Sequence, residues 1–248
     1  MAIFIDAVVV KIRDGQVVNR PVYAVIGVIV DGHKDVLGLW AGTGGEGATF
    51  WLSVLTDLRN RGVADVFFLV CDGLKGLPEV VENVWPLATV QTCIIHHLIR
   101  HTFRLVSRAD HDAIKRDLKP VYTAPSPAAA AAAIDAFEDT WGGTYRAIVR
   151  LWRNAWEEFT PFLDYDVEIR RVLCSTNAIE SLNARYRRAV SARGHFPSDQ
   201  SAWKCLYLVT RSLDSTGAGQ ARWMVRWEPA LDAFAITIGD RWPSAETY

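Results

Sequence analysis

The sequence predicts an α/β fold: a mixed five-stranded sheet with flanking helices, interrupted by an all-helical block. Three observations predict it. Asp-Gly pairs separate three β-rich runs within the first forty residues, strand and helix signals then alternate as far as residue 96, and from there to about residue 173 every signal is helical. Asp-Gly between β-rich runs marks hairpins, so the first three strands form an antiparallel meander. A strand–helix–strand alternation implies parallel crossovers, which makes the sheet mixed.

The elements follow in order. "AIFIDAVVVKI", "PVYAVIGVIV" and "DVLGLWAG" are the meander strands, and "GTGGEG" is a loop. "ATFWLSVLTDLRNRG" places Phe50, Val54, Leu55 and Leu58 on one helical face, with Gly62 at its C-terminal cap. "VADVFFLVCD" is the fourth strand, "LPEVVENVW" a short helix and "ATVQTCII" the fifth strand. "HLIRHTFRLVS", "DHDAIKRDLKPVY", "SPAAAAAAIDAFEDTWG" and "YRAIVRLWRNAWEEF" are helical. Ser126-Pro127 is a good helix start, and alanine is the best helix former. Trp141, Trp152 and Trp156 fall in this block as core residues rather than base-stacking platforms. "SDQSAWKCLYLVTRSL" and "EPALDAFAITIGD" supply the last helices. The divisions are 1–96 for the first part of the sheet core, 97–173 for the helical insertion, and 174–248 for the helices that complete the core.

At 248 residues the chain can build one large domain or two small ones, and 50% apolar with 22% charged residues is globular composition, not disorder. No apolar run approaches the roughly 18 residues of a membrane helix. The first residues have no basic region and carry Asp6 inside an apolar stretch, unlike a signal peptide. Cys71, Cys93, Cys174 and Cys205 are far apart and fit reduced thiols, so a cytoplasmic location without membrane association is expected. The net charge of −1 does not announce a nucleic-acid binder, but residues 97–195 hold 15 Lys and Arg against 12 Asp and Glu. That asymmetry is mild support for a polyanion partner.

Three carboxylates stand where acids are locally awkward. Asp6 interrupts the first strand, and Asp72 ends the apolar run "FFLVC" of the fourth. Glu180 lies on a helix whose apolar stripe is Ile179, Leu182, Tyr186 and Ala189, sharing the adjoining polar face with Asn183 and Arg187 at i, i+3, i+7. Each has a plain reading: Asp72-Gly73 as a turn, Asp6 as a paired or edge-exposed acid, and Glu180 as the third position of a capping box opened by Asn177. If the meander pairs 3-2-1, the fourth strand can lie beside the first, making Asp6 and Asp72 neighbours. Two carboxylates that close repel each other unless cations lie between them, and hard oxygen donors suit Mg²⁺ or Mn²⁺.

The runs "IDAVVVKIRDG", "CDGLKGLPE", "QTCIIH" and "STNAIESLNARYRRAV…RGHFP" resemble the catalytic region of mutator-family transposases of bacterial insertion sequences. The resemblance covers essentially the whole chain. It implies a ribonuclease H-like core with a helical insertion before the glutamate helix. It implies a DDE triad of Asp6, Asp72 and Glu180 holding two Mg²⁺ or Mn²⁺ ions, with DNA cut at element ends and joined to target DNA. Its implied partners are terminal inverted repeats, target DNA and further copies of the chain on DNA.

Two departures from the family pattern are present. Only five residues precede Asp6, where relatives carry DNA-binding helices, so weak DNA binding without end preference is expected, as for a non-autonomous remnant. "CIIHHLIRHT" has an extra histidine, with His101 where asparagine is usual; one inserted residue turns a helix by about 100°. Cys93 and His96 form a lone CxxH, short of the four ligands of structural zinc, so no zinc is expected. Arg185, Arg187, Arg188, Arg193 and His195 follow Glu180 either as a solvated face or as a phosphate-gripping surface. A standalone ribonuclease H-like nuclease is the remaining alternative.

Overall fold

The structure is a computed structural model that describes residues 1–71, 73–92, 94–174, 177–212 and 218–242. The chain divides into two compact units, one made of residues 1–90 and 175–248 and the other of residues 91–174.

The first unit is built on the sheet. Strands β1 (Ala2–Asp14), β2 (Gln16–Val28) and β3 (Lys34–Ala41) form the meander, and β4 (Phe68–Cys71) and β5 (Thr89–Thr92) complete the order β3-β2-β1-β4-β5. β1 pairs antiparallel with β2 and parallel with β4, so the sheet is mixed, with flanking helices, as expected. The parallel register runs from Ala2–Phe68 to Ile5–Cys71. The β1–β2 hairpin is longer than the sequence suggested, reaching the Asp14–Gln16 pair, and Gly15 between them has φ +69°, a left-handed conformation natural only to glycine. β4 is shorter than expected. Residues 63–66 form a connection instead, with Val63 and Val66 buried in the core.

Alternation along the strands sorts the sheet into two faces. Ile3, Ile5, Val25, Leu69 and Cys71 pack in one core cluster with Trp51, Val54, Leu55 and Leu58 of α1 (Ala48–Asn60) and Val80, Val81 and Val84 of α2 (Leu77–Val84). Gly62, just past α1, has φ +101°, as its predicted capping role requires.

In the second unit, α3 (Ile94–Leu105) begins three residues before the expected start, because the fifth strand ends at Thr92. α4 (His111–Tyr122), α5 (Pro127–Trp141), α6 (Arg146–Asn154), α7 (Trp156–Phe159) and α8 (Val167–Cys174) follow. The Ser126 hydroxyl accepts from the Ala129 N–H at 3.2 Å, capping α5. The run expected as one helix over residues 145–159 is broken at Ala155, between α6 and α7. Trp152 is a core residue whose indole N–H donates to Thr102 Oγ1 at 3.0 Å. Trp141 and Trp156 are only partly buried, and Trp141 donates to Asp117 Oδ2 at 3.0 Å.

The chain then returns to the first unit through α9 (Asn177–Arg193), α10 (Asp199–Arg211) and α11 (Ala218–Ile238). α11 covers the sheet face opposite α1: Trp227 meets Phe4 edge to face at 6.2 Å and Phe234 meets Phe68 at 5.4 Å. The expected start of this helix at Glu228, which would put Pro229 in the first turn, is corrected, since α11 runs ten residues earlier and carries Pro229 internally. Buried Trp227 and Phe234 lie on either side of the proline, and their burial holds both halves on the sheet against its intrinsic cost. Among the described residues no helix is long and apolar enough to cross a membrane.

Candidate active site

Asp6 lies on the central strand β1 and shows about a quarter of its side chain (25%) to solvent. Its side chain meets α9. Oδ1 accepts the Ala7 backbone N–H at 2.7 Å, Oδ2 accepts the amide N–H of Asn183, and the Arg187 guanidinium stands 3.8 Å from the same oxygen. A buried carboxylate without donors loses hydration; here hydrogen bonds and a nearby cation replace part of it.

The local sequence of α9 explains how the helix arrives there. Ile179, Leu182, Tyr186 and Val190 are buried and seat it on the sheet, where it packs against β1 and β2. Tyr186 is tied to α10, its hydroxyl 2.7 Å from Thr210 Oγ1, and burial raises its pKa above the ordinary phenol value. Gly194, with φ +72°, ends α9 and turns the chain back to β1. There Phe196 N–H donates to Lys11 O and Arg13 N–H donates to Phe196 O, both at 2.8 Å. The helix is thus fastened to β1 at Asp6 and again beyond its C-terminus.

Asn183 is fully buried, and among the described residues its Oδ1 has no hydrogen-bond partner. The i, i+3, i+7 pattern marks its helix face but does not distinguish Asn183 as a site residue. Its flanks, Leu182 on one side and Ala184-Arg185 on the other, give no local sign that it is wholly inside.

The remaining predicted residues fall as follows. Glu180 belongs to α9, one turn before Asn183, and its side chain lies outside the described residues, as does that of Asn177 and with it the capping-box reading. Asp72 lies outside the described residues entirely. So does Cys93, while His96 is described only as a backbone position in α3. Among the described residues no three acidic, His or Cys side chains converge, a set that lacks Asp72 and the Glu180 side chain. Arg185, Arg188, Arg193 and His195 are exposed, and among the described residues none of them enters an ion pair. Arg187 differs from them in facing Asp6.

A second polar contact steadies the loop after β3. Tyr23 O–H donates to Glu46 Oε2 at 2.5 Å, and Glu46 Oε1 accepts the Gly44 N–H at 2.6 Å. Burial and this bond push the Tyr23 phenol up; burial also acts to raise the Glu46 carboxyl, but the Tyr23 and backbone donors outweigh it and hold it down.

Residues 1–217 match the family model "Transposase, Mutator family". The chain is 46% identical over 257 aligned positions to a probable transposase for an insertion sequence element of Corynebacterium diphtheriae, covering 96% of this chain and 74% of that protein. It is 45% identical over 241 positions to the transposase for insertion sequence element ISRM3 of Rhizobium meliloti, covering 96% of this chain and 59% of the relative. A Lactococcus lactis transposase for insertion sequence element IS905 is 31% identical over 208 positions, which span 84% of this chain and 52% of that protein. A match over residues 1–217, with these identities along nearly all of the chain, establishes that the chain belongs to the Mutator family of insertion-sequence transposases.

Proposed function

We propose that this chain is the catalytic part of a DDE-type transposase with a ribonuclease H-like core, in which Asp6, Asp72 and Glu180 hold two Mg²⁺ or Mn²⁺ ions. The observation that carries the reading is the contact of Asp6 with Asn183 and Arg187, because these two side chains belong to the helix and the polar face that also carry Glu180. Connectivity supports Asp72: it is bonded to Cys71, whose register partner Ile5 is bonded to Asp6.

The donor set suits the ions. Carboxylate oxygens are the hard ligands such cations take, Asp6 is partly open to solvent, and Asn183 Oδ1, buried and unpartnered among the described residues, belongs to the side chain that bonds it. When bound, the ions would supply an activated water and neutralise charge on a phosphodiester. In this reading water cuts a strand at an element end, and the freed 3′-hydroxyl attacks a target phosphodiester in line, breaking its P–O bond and displacing the target strand's own 3′-oxygen. The chain's own residues position these reactants: Asp6 and Glu180 come from a rigid strand and a rigid helix fastened together, and Arg187 offers a guanidinium to a phosphate oxygen beside Asp6. The exposed Arg185, Arg188 and Arg193, with His195, grip the flanking phosphates. DNA is the partner, several copies of the chain assemble on it, and the protein acts in the bacterial cytoplasm.

Asp6→Ala, Asp72→Ala and Glu180→Ala are each expected to abolish metal-dependent nicking and strand transfer of element-end DNA while the proteins still melt cooperatively. Loss of a cap alone would cost about 0.5–2 kcal/mol of stability and leave chemistry intact. Full nicking by a folded Glu180→Ala protein would remove Glu180 from the site.

A further inference from the structure

We propose that Asn183 is a positioning residue of the metal site, a role that rests on the triad reading above. Its amide N–H donates to Asp6 Oδ2, its side chain is fully buried, and it stands one helical turn from Glu180. The bond joins two ligand-bearing elements whose residues lie 177 positions apart in sequence. Asn183 therefore sets both the plane of the Asp6 carboxylate and the distance of the Glu180 helix from it. Loss of a partner that orients a ligand in this way typically costs about 10–100-fold in metal affinity.

The other end of the amide separates this role from that of a plain interhelix or helix–strand tether. Asn183 Oδ1 is buried and, among the described residues, unpartnered, and such an acceptor opposes folding. A tether selected for stability gains nothing from that atom. Beside a site that takes hydrated cations, it is an acceptor left without a protein donor among the described residues. Asp6, by contrast, is partly exposed and can recover hydration if the amide is removed. Stability and metal affinity should therefore respond differently to loss of the amide.

The test is a calorimetric titration of Mn²⁺ into the full chain, with thermal melts, for wild type, Asn183→Leu, Asn183→Ala and Asp6→Asn. Leu keeps the branched shape and removes both polar ends, whereas Ala cannot clash if Leu overfills the site. The expected result is a 10–100-fold loss of Mn²⁺ affinity in the Asn183 variants, with the Leu variant melting at or above the wild-type temperature. Wild-type affinity in both Asn183 variants, with binding lost in Asp6→Asn, would overturn the positioning role and leave the triad standing. Equal binding by wild type and Asp6→Asn would overturn the triad reading and this role with it. Asn183 variants that fail to fold would assign the residue to the fold and overturn the role as well.

Discussion

Arg187 and its three arginine neighbours are close in sequence but differ in environment. Arg187 is half exposed and 3.8 Å from Asp6, a geometry in which an ion pair adds about 0–1 kcal/mol to stability. Arg185, Arg188 and Arg193 are exposed and, among the described residues, unpaired by acids, leaving their charge available to a polyanion. Replacing any one of these three by Gln is therefore expected to lower the slope of log affinity against log salt by about 0.9 on duplex DNA, with melting temperature unchanged. A slope that stays at the wild-type value in all three variants would make the stretch a solvated face. The spacing in α9 made its polar side legible from sequence. The depth of Asn183 was not, because burial depends on β1, a strand 177 residues away.

At the scale of elements, the fastening of α9 to β1 decides how the site is held. Gly194 turns the chain at φ +72° so that Phe196 can pair with Lys11 and Arg13. A Cβ at Gly194 would meet nothing within 4 Å, so Gly194→Ala strains only the backbone, at about 1 kcal/mol. That cost is expected to appear as a modestly lower melting temperature together with a disproportionate loss of nicking, since the strain falls on the joint that seats Glu180's helix. Loss of nicking only in proportion to unfolding would show that the joint carries no catalytic register. Strand order was legible because Asp-Gly turns and the parallel crossover rule leave few arrangements for five strands. Helix limits were less so. Pro229 signals a helix start locally, and only the aromatic contacts of Trp227 and Phe234 with the sheet explain why α11 runs through it.

At the scale of the molecule, a compact unit is assembled from residues 1–90 and 175–248, with residues 91–174 forming a second unit of their own. The change from strand to helix signals near residue 96 made that interruption visible in the sequence, though not the early start of α3 at Ile94. The central claim is that Asp6, Asp72 and Glu180, far apart in the chain, converge on one pair of cations. Iron-directed cleavage tests it most directly. Fe²⁺ is bound in place of Mg²⁺, ascorbate and peroxide generate hydroxyl radicals at the bound ion, and the cut positions in the polypeptide are mapped. The expected cuts cluster around residues 6, 72 and 180, are competed by Mg²⁺ and are absent in Asp6→Ala. Cuts near residue 6 without those near 72 and 180, or a pattern unaffected by Asp6→Ala, would contradict that convergence.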